Sequence, residues 1–319
     1  MKNKLIIISG PTASGKTSTS IKLANFINQK LNKQVSIINF DSLLFYKEIS
    51  IGTAKPTASE MGSITHYLVN TTSIATPINA SDYIKEAESI IYQLHHQEKV
   101  VILVGGSAFY LRALLKGMYD SPKTDDKIKV EAAELLKNHG IEPIIEFLKN
   151  NDPEVLQYLH HNDHYRLVRA YEHFKSTGTK ISEQKKLSDE NDPYDFSKIS
   201  HPWDILHFYL DLDKSTHQNL ILQRTKQMFS DGLLEEVKSL LSQGFDSNLK
   251  PLQSIGYKET IDYIRGNYST LDACIERIVI STRQLAKSQR TFFKKIHPKL
   301  EMNPLQDQDK ILEITQSFL

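Results

Sequence analysis

Short apolar runs alternate with longer stretches of helical period through the first third of the chain. Residues 5–9 form an apolar run that opens directly into Gly10, which predicts a buried strand entering a turn. Residues 16–31 carry Ile21, Ala24, Phe26 and Ile27 at helical spacing. Residues 35–40 predict a second strand, with Asp41 at its end. Ser81, Asp82 and Tyr83 start a helix whose apolar face is Ile84, Ala87, Ile90, Ile91 and Leu94. Residues 100–104 predict a third strand, ending in Gly105 and Gly106. Strand, helix, strand, helix, strand is the order of a parallel sheet covered on both faces.

The pattern changes after Gly117. From about residue 120 to 200, helical periods are separated by Pro122, Gly140, Pro143, Pro153, Gly178 and Pro193, with no convincing strand. Residues 205–210 read as a returning strand, closed by Asp211. The remainder reads as helical, over about 216–230, 233–243, 255–264 and a long helix over 271–297 stopped by Pro298. The expected organisation is a core (1–119), a helical insertion (120–200) and completion of the core with C-terminal helices (201–319).

Composition narrows the classes. The chain has 319 residues, 39% hydrophobic and 24% charged, which suffices for a core and excludes wholesale disorder. Lys and Arg number 39 against 38 Asp and Glu, so a uniformly basic coat is excluded and a local basic face is not. A single cysteine, Cys274, excludes a disulfide framework and fits a reducing cytosol. No apolar run approaches the roughly 18 residues of a membrane span. The apolar stretch after Met1 and Lys2 is too short for a secretory leader, so a cytoplasmic protein is expected.

Gly10, Pro11, Thr12, Ala13, Ser14, Gly15, Lys16 and Thr17 fit GxxxxGK[ST], between a strand and a helix. The glycines let the backbone curl so that amides point at a phosphate. Lys16 adds a mobile charge, and the Thr17 hydroxyl can ligate Mg²⁺. The alternative is a plain strand-to-helix turn. A P-loop ATPase usually has a second apolar strand ending in a metal-holding aspartate. Here residues 100–104 run into Gly105, Gly106 and Ser107, which argues against a motor or switch ATPase. Asp41 ends a strand and can serve as metal partner or base. The expected fold class is therefore α/β, a P-loop NTPase-like parallel sheet flanked by helices, with a helical insertion domain.

Seven blocks together resemble the tRNA dimethylallyltransferase family. They are residues 10–17, 41–46, 51–56, 104–111, 162–170, 255–259 and 282–289, in family order. The resemblance implies transfer of a dimethylallyl group from dimethylallyl diphosphate to N6 of adenine 37, in tRNAs reading codons that begin with U. It also implies a need for Mg²⁺, and a P-loop that holds a prenyl diphosphate. Asp41 resembles the family's proposed base, with a helix N-cap as the alternative. Ser107 stands where the family usually has threonine, and Arg224 matches an arginine near the diphosphate. Asp41, Ser42, Leu43 and Leu44 are implied to touch the target nucleotide. Tyr165, Arg166, Leu167, Val168 and Arg169, together with residues 254–259 and among them Gly256, Tyr257 and Lys258, are implied to touch neighbouring bases or backbone. Arg166 and Arg169 lie three apart on one helix face, suited to phosphates or to ordinary surface ion pairs. Arg283, Lys287, Arg290, Lys294 and Lys295 form an acid-free run with Phe292 and Phe293 interleaved, which reads either as a polyanion-binding helix or as a solvated face.

The sequence departs from the family pattern at Ser50 (usually aspartate), Lys129 (usually arginine, in tRNA contact), Leu220, Ser288 and Phe292. None of these removes a proposed chemical group. His160, His161 and His164 near Asp163 lack a further ligand set, so a metal site there is set aside. A monomer is expected. The rivals are an isopentenyltransferase acting on free adenylate, a small-molecule P-loop kinase, and an inactive RNA-binding module.

Overall fold

The computed structural model describes residues 3–118, 124–190, 192–199 and 201–319. The apolar runs become strands buried on both faces, β1 (Asn3–Ser9) and, after helix α1 (Lys16–Lys30), β2 (Val35–Asn39). Then come α2 (Ala58–Met61), β3 (Thr65–Tyr67), α3 (Ala80–His96), β4 (Val100–Gly105) and α4 (Ala108–Lys116). Helices α5 (Asp126–His139), α6 (Glu142–Asn151), α7 (His164–Thr177) and α8 (Ile181–Glu190) follow. The chain returns as β5 (Trp203–Leu210), α9 (Lys214–Ser230), α10 (Leu233–Ser242), α11 (Tyr257–Ile264), α12 (Leu271–Phe293), β6 (Leu300–Met302) and α13 (Gln308–Phe318).

All strands of the sheet are parallel, in the order β3-β2-β4-β1-β5-β6. Side chains alternate across it. Leu5, Ile7, Ile38, Val101 and Leu103 meet Tyr83, Ala87, Leu111 and Leu114 from α3 and α4. Ile6, Ile8, Ile37 and Ile102 meet Leu23, Ala24 and Ile27 of α1 and Ile311 of α13. Burial on both faces explains why the strands read as continuous apolar runs.

From β1 the chain first builds toward β2, and later adds β5 on the opposite side. Strand order therefore reverses at β1, and the crevice beyond its carboxyl end is where an open α/β sheet binds ligands. The P-loop occupies that position.

Two compact units result, Met1–Lys116 with Tyr194–Leu319, and Gly117–Pro193. Within its described residues the second unit is helical, around Ile144, Leu148, Leu167 and Tyr171. The expected junctions at 119–120 and at 200, with Pro122 and Lys123, lie outside the described residues. The first unit resumes at Tyr194 because Tyr194 and Phe196 already pack against its core.

Two expectations are corrected, and one strand is added. The chain beyond β5 is not wholly helical, since Leu300–Met302 adds an edge strand beside Phe208–Leu210. At the other edge, Thr65–Tyr67 pairs with β2. The long helix stops at Phe293 rather than at residue 297. There His297 pairs with residues 194–196 through His297 N to Tyr194 O (3.0 Å) and Phe196 N to His297 O (2.6 Å).

Beneath the P-loop, Ser9 Oγ and the buried His207 Nε2 lie 2.7 Å apart. Burial pushes the His207 pKa down to about 3. An unfolded chain takes up this proton near the ordinary value of 6.5, so the stability is present above that value and is lost as pH falls below it. The thermal midpoint is expected to drop from pH 7 to pH 5, with a smaller drop in His207→Gln.

Candidate diphosphate and acceptor site

The loop after β1 has a geometry few sequences can adopt. A Cβ on Gly10 would lie 2.4 Å from Leu210 O, so only glycine allows this approach to β5. Gly15 has φ 79° and Ala13 φ 60°, left-handed positions that turn the chain back into α1. Ser14 N donates to Pro11 O (3.2 Å) and closes the loop. Ser14 Oγ is buried with no hydrogen-bond partner.

Lys16 Nζ donates to Pro11 O (2.8 Å) across the loop. Its pKa is pushed down to about 8, chiefly by burial; Asp41 opposes the shift and Arg224 adds to it. The Arg224 guanidinium is likewise held below its ordinary value, by burial first and against the pull of Asp41. Arg224 reaches in from α9, with Nη2 3.4 Å from Thr53 O. Lys16, Asp41 and Arg224, far apart in sequence, thus lie within one another's fields. Thr17 opens the first turn of α1, where aligned amides favour an anion.

Asp41 follows β2 and is held on both sides. Asn39 Oδ1 accepts from Asp41 N (2.8 Å), and Asn39 Nδ2 donates to Asp41 O (2.9 Å) and Leu68 O (3.0 Å). Asp41 Oδ1 accepts from Leu43 N (3.3 Å). Its other oxygen faces Gly106: a Cβ there would be 3.5 Å from Asp41 Oδ2, 3.4 Å from Gly10 O and 2.7 Å from Gln289 Nε2. Gly106 is the point where phosphate loop, carboxylate and α12 converge. Next to it, Ser107 Oγ accepts from Tyr110 N (3.4 Å) at the start of α4. Ser42, Leu43 and Leu44 are half-buried in the turn after Asp41.

Several residues shape the site through contacts that the sequence does not announce; His217 and Glu236 carry no local signal at all. Gln289 joins Thr12 to Gly106. Arg290 Nε donates to both oxygens of Asp211 (2.9 and 3.0 Å), and its Nη2 lies 2.7 Å from His217 Nδ1. An arginine can only donate, so Nδ1 accepts and Nε2 carries the proton that goes to Thr12 O (2.7 Å). Burial first, and then the Arg290 charge, keep this imidazole neutral by lowering its pKa. Glu236 accepts from Ser50 N (2.9 Å), Ile51 N (3.0 Å) and Tyr257 OH (2.6 Å), and so fixes the 50–53 loop beside Arg224. Removing a charged acceptor of several bonds costs on the order of 2 kcal/mol. Glu236→Ala is therefore expected to lower the thermal midpoint by roughly 4–8 °C, a shift calorimetry resolves.

The structure places the expected nucleotide-contact residues differently. Tyr257 is fully buried, its phenol taken by Glu236, and Gly52 has room for no side chain against its ring. Gly256 is buried and its amide goes to Glu259 Oε2 (2.8 Å). Leu167 is buried in the core of the second unit. All three are buried positions, and Lys258 is the exposed member of its block. In the second unit Tyr165 is 69% exposed at the start of α7, and Val168 is half-buried. Arg166 pairs with Asp163 (2.8 Å), Arg169 with Glu172 (2.5 Å) and Lys129 with Asp126 (2.7 Å). The Arg166 and Lys129 pairs are exposed and weak enough to be exchanged for phosphates, whereas Glu172 is buried, so Arg169 is held by a partner that would lose its charge neutralisation. On α12, Arg283 and Lys287 are exposed, whereas Arg290 turns inward to Asp211 and Phe293 is fully buried.

Fold and site together define a P-loop α/β protein whose loop faces the carboxylate that follows β2, while β4 beside it ends in glycine. The family model described as IPP transferase matches residues 44–296. A tRNA dimethylallyltransferase 2 of Geotalea daltonii is 35% identical over 294 residues, 92% of this chain and 86% of that protein. A tRNA dimethylallyltransferase of Prochlorococcus marinus is 37% identical over 319 residues, 100% of this chain and 98% of that protein. Among solved structures, a tRNA isopentenylpyrophosphate transferase of Staphylococcus epidermidis is similar, with TM-score 0.68, 31% identity and 99% of both chains covered. So is a eukaryotic dimethylallyltransferase acting on tRNA, with TM-score 0.80, 27% identity, 99% of this chain and 79% of that one. The chain belongs to the IPP transferase family.

Proposed function

We propose that this chain transfers a dimethylallyl group from dimethylallyl diphosphate to N6 of adenine 37, in the anticodon loop of tRNAs reading codons that begin with U. The products are N6-(dimethylallyl)adenosine and diphosphate. The observation that carries the reading is the convergence at Gly106 of the phosphate loop and Asp41. A diphosphate in the loop and an amine beside the carboxylate are then neighbours.

In this reading the allylic C1–O bond breaks as negative charge gathers on the diphosphate. Lys16, Arg224 and the loop amides stabilise that charge. The amine lone pair of adenine is delocalised into the ring. Asp41 Oδ2 takes the N6 proton as the C1–N6 bond forms, which makes the nitrogen competent. Ser107 would hydrogen-bond the reacting nucleotide. Among the described residues no three His, Cys, Asp or Glu side chains gather as a metal cage. A Mg²⁺ here would take the Thr17 hydroxyl and diphosphate oxygens as ligands, the pattern of a cation that arrives with its phosphate, and would supply further neutralisation of the leaving group.

A base in an anticodon loop leaves its stack for at most a few kcal/mol. On the second unit Tyr165, Arg166, Arg169 and Lys129 suit stacking and phosphate contacts with RNA, and on the first unit Arg283 and Lys287 of α12 suit phosphate contacts. No helix among the described residues is long and apolar enough to cross a membrane. A cytoplasmic monomer is proposed. The test is incubation with labelled dimethylallyl diphosphate and either tRNA or AMP. Label is expected in tRNA, at position 37 on nuclease digestion. Label entering AMP but never tRNA, or ATP turnover without prenyl transfer, rejects the proposal.

A further inference from the structure

We infer that Gln289 is a positioning residue that sets the register between the diphosphate cradle and the acceptor side of the site; the inference rests on the function proposed above. Strands β1 and β4 pair as far as Ser9 and Gly105. Beyond that pair the two backbones diverge into different loops, and their ladder hydrogen bonds end. Gln289 spans the gap from α12. Thr12 N donates to its Oε1 (2.8 Å), and its Nε2 donates to Gly106 O (3.0 Å). The two bonds fix the amide's orientation, since a flip would set donor against donor and acceptor against acceptor.

The clasp ties together the two segments whose separation matters for transfer. Thr12 lies in the loop that holds the leaving group. Gly106 lies beside the base and precedes Ser107. The same carboxamide nitrogen would be 2.7 Å from a Cβ on Gly106, whose other near neighbours are Gly10 O and Asp41 Oδ2. No other side chain reaches this junction from α12 with both a donor and an acceptor among the hydrogen bonds of the described residues. The Thr12 peptide is also gripped through its carbonyl by His217. Gln289 therefore decides not whether the loop forms but where it stands relative to Gly106.

In-line alkylation is sensitive to such placement, and a misplacement of about 1 Å can cost on the order of 100-fold. Gln289→Met keeps the side chain's length and removes both bonds. The expected result is kcat down by roughly 10–100-fold, with KM for both substrates and the affinity for inorganic diphosphate within about threefold of wild type. The thermal midpoint is expected to stay within a few degrees. Gly106→Ala, which pushes the carboxamide away, should show the same split. An unchanged kcat overturns the inference. So does a kcat loss matched by an equal loss of diphosphate affinity, which would mean a merely damaged cradle. Amide hydrogen exchange at residues 10–14 gives a readout independent of transfer. It is expected to speed up in Gln289→Met, and unchanged exchange counts against the clasp. A wild-type protein that prenylates no tRNA fails the functional proposal instead, and the exchange measurement then judges the clasp alone.

Discussion

Asp41→Ala is expected to lower turnover by roughly 10²–10⁴-fold, the range removed with a general base, while tRNA affinity changes by less than about threefold. The carboxylate has two oxygens with separate tasks. Oδ1 is occupied by Leu43 N, and Oδ2 faces Gly106. Asp41→Asn keeps the Leu43 bond and replaces the basic oxygen by an amide that cannot take a proton. It should therefore be as inactive as the alanine variant. Single-turnover transfer, alongside a filter-binding measurement with tRNA, separates the two quantities. Equal turnover in either variant would remove Asp41 from the base role.

Lys16→Ala should be of similar size in a different quantity. The ammonium is the one mobile charge in the loop, and losing such a donor to a developing anion costs on the order of 10²–10³-fold in rate. Affinity for inorganic diphosphate should fall with it. The pH dependence gives a sharper check. With its pKa pushed down to about 8 by burial, Lys16 is charged below that value and neutral above it. Diphosphate binding by the wild type is thus expected to weaken as pH rises from 7 to 9. The alanine variant should lose that part of the slope. A wild-type affinity flat across this window would show that the ammonium does not hold the phosphate.

The sheet and the phosphate loop were legible because both are local. A strand buried on both faces must be a run of apolar residues, and a loop that curls amides inward must have glycine where a side chain would strike Leu210 O. Asp41 could be found because it ends such a run. The rest of the site is made of long-range polar contacts that leave no pattern. Gln289 ends a recognisable block, but nothing in that block names its partner Thr12, 277 positions away, and Glu236 meets Ser50 across 186. Nothing near Glu236 distinguishes it from the solvated glutamate beside it. The edge strands β3 and β6 span three residues each, too few to show a period of two. The basic run on α12 misled in part, because composition does not say which way a side chain turns. Arg290 is drawn inward by Asp211, while its neighbours Lys287 and Lys294 stay outside. Tyr257 and Leu167 differ from their neighbours in the opposite way. They belong to recognisable blocks, yet they are the packed positions that hold those blocks in shape.

The pairing of β1 with β5 has a consequence for biosynthesis. Strand β1 lies between β4 and β5, and β5 is separated from it by almost two-thirds of the chain. At ribosomal speeds of about 5–20 residues per second, one side of Asn3–Ser9 waits roughly 10–40 s for its partner. Throughout that interval an apolar, unpaired edge is open to other nascent chains. The stretch emerging meanwhile, Gly117–Pro193, has a helical core of its own and needs nothing that follows it. Chaperone capture during translation is accordingly expected for the amino-terminal strands and not for the helices between them.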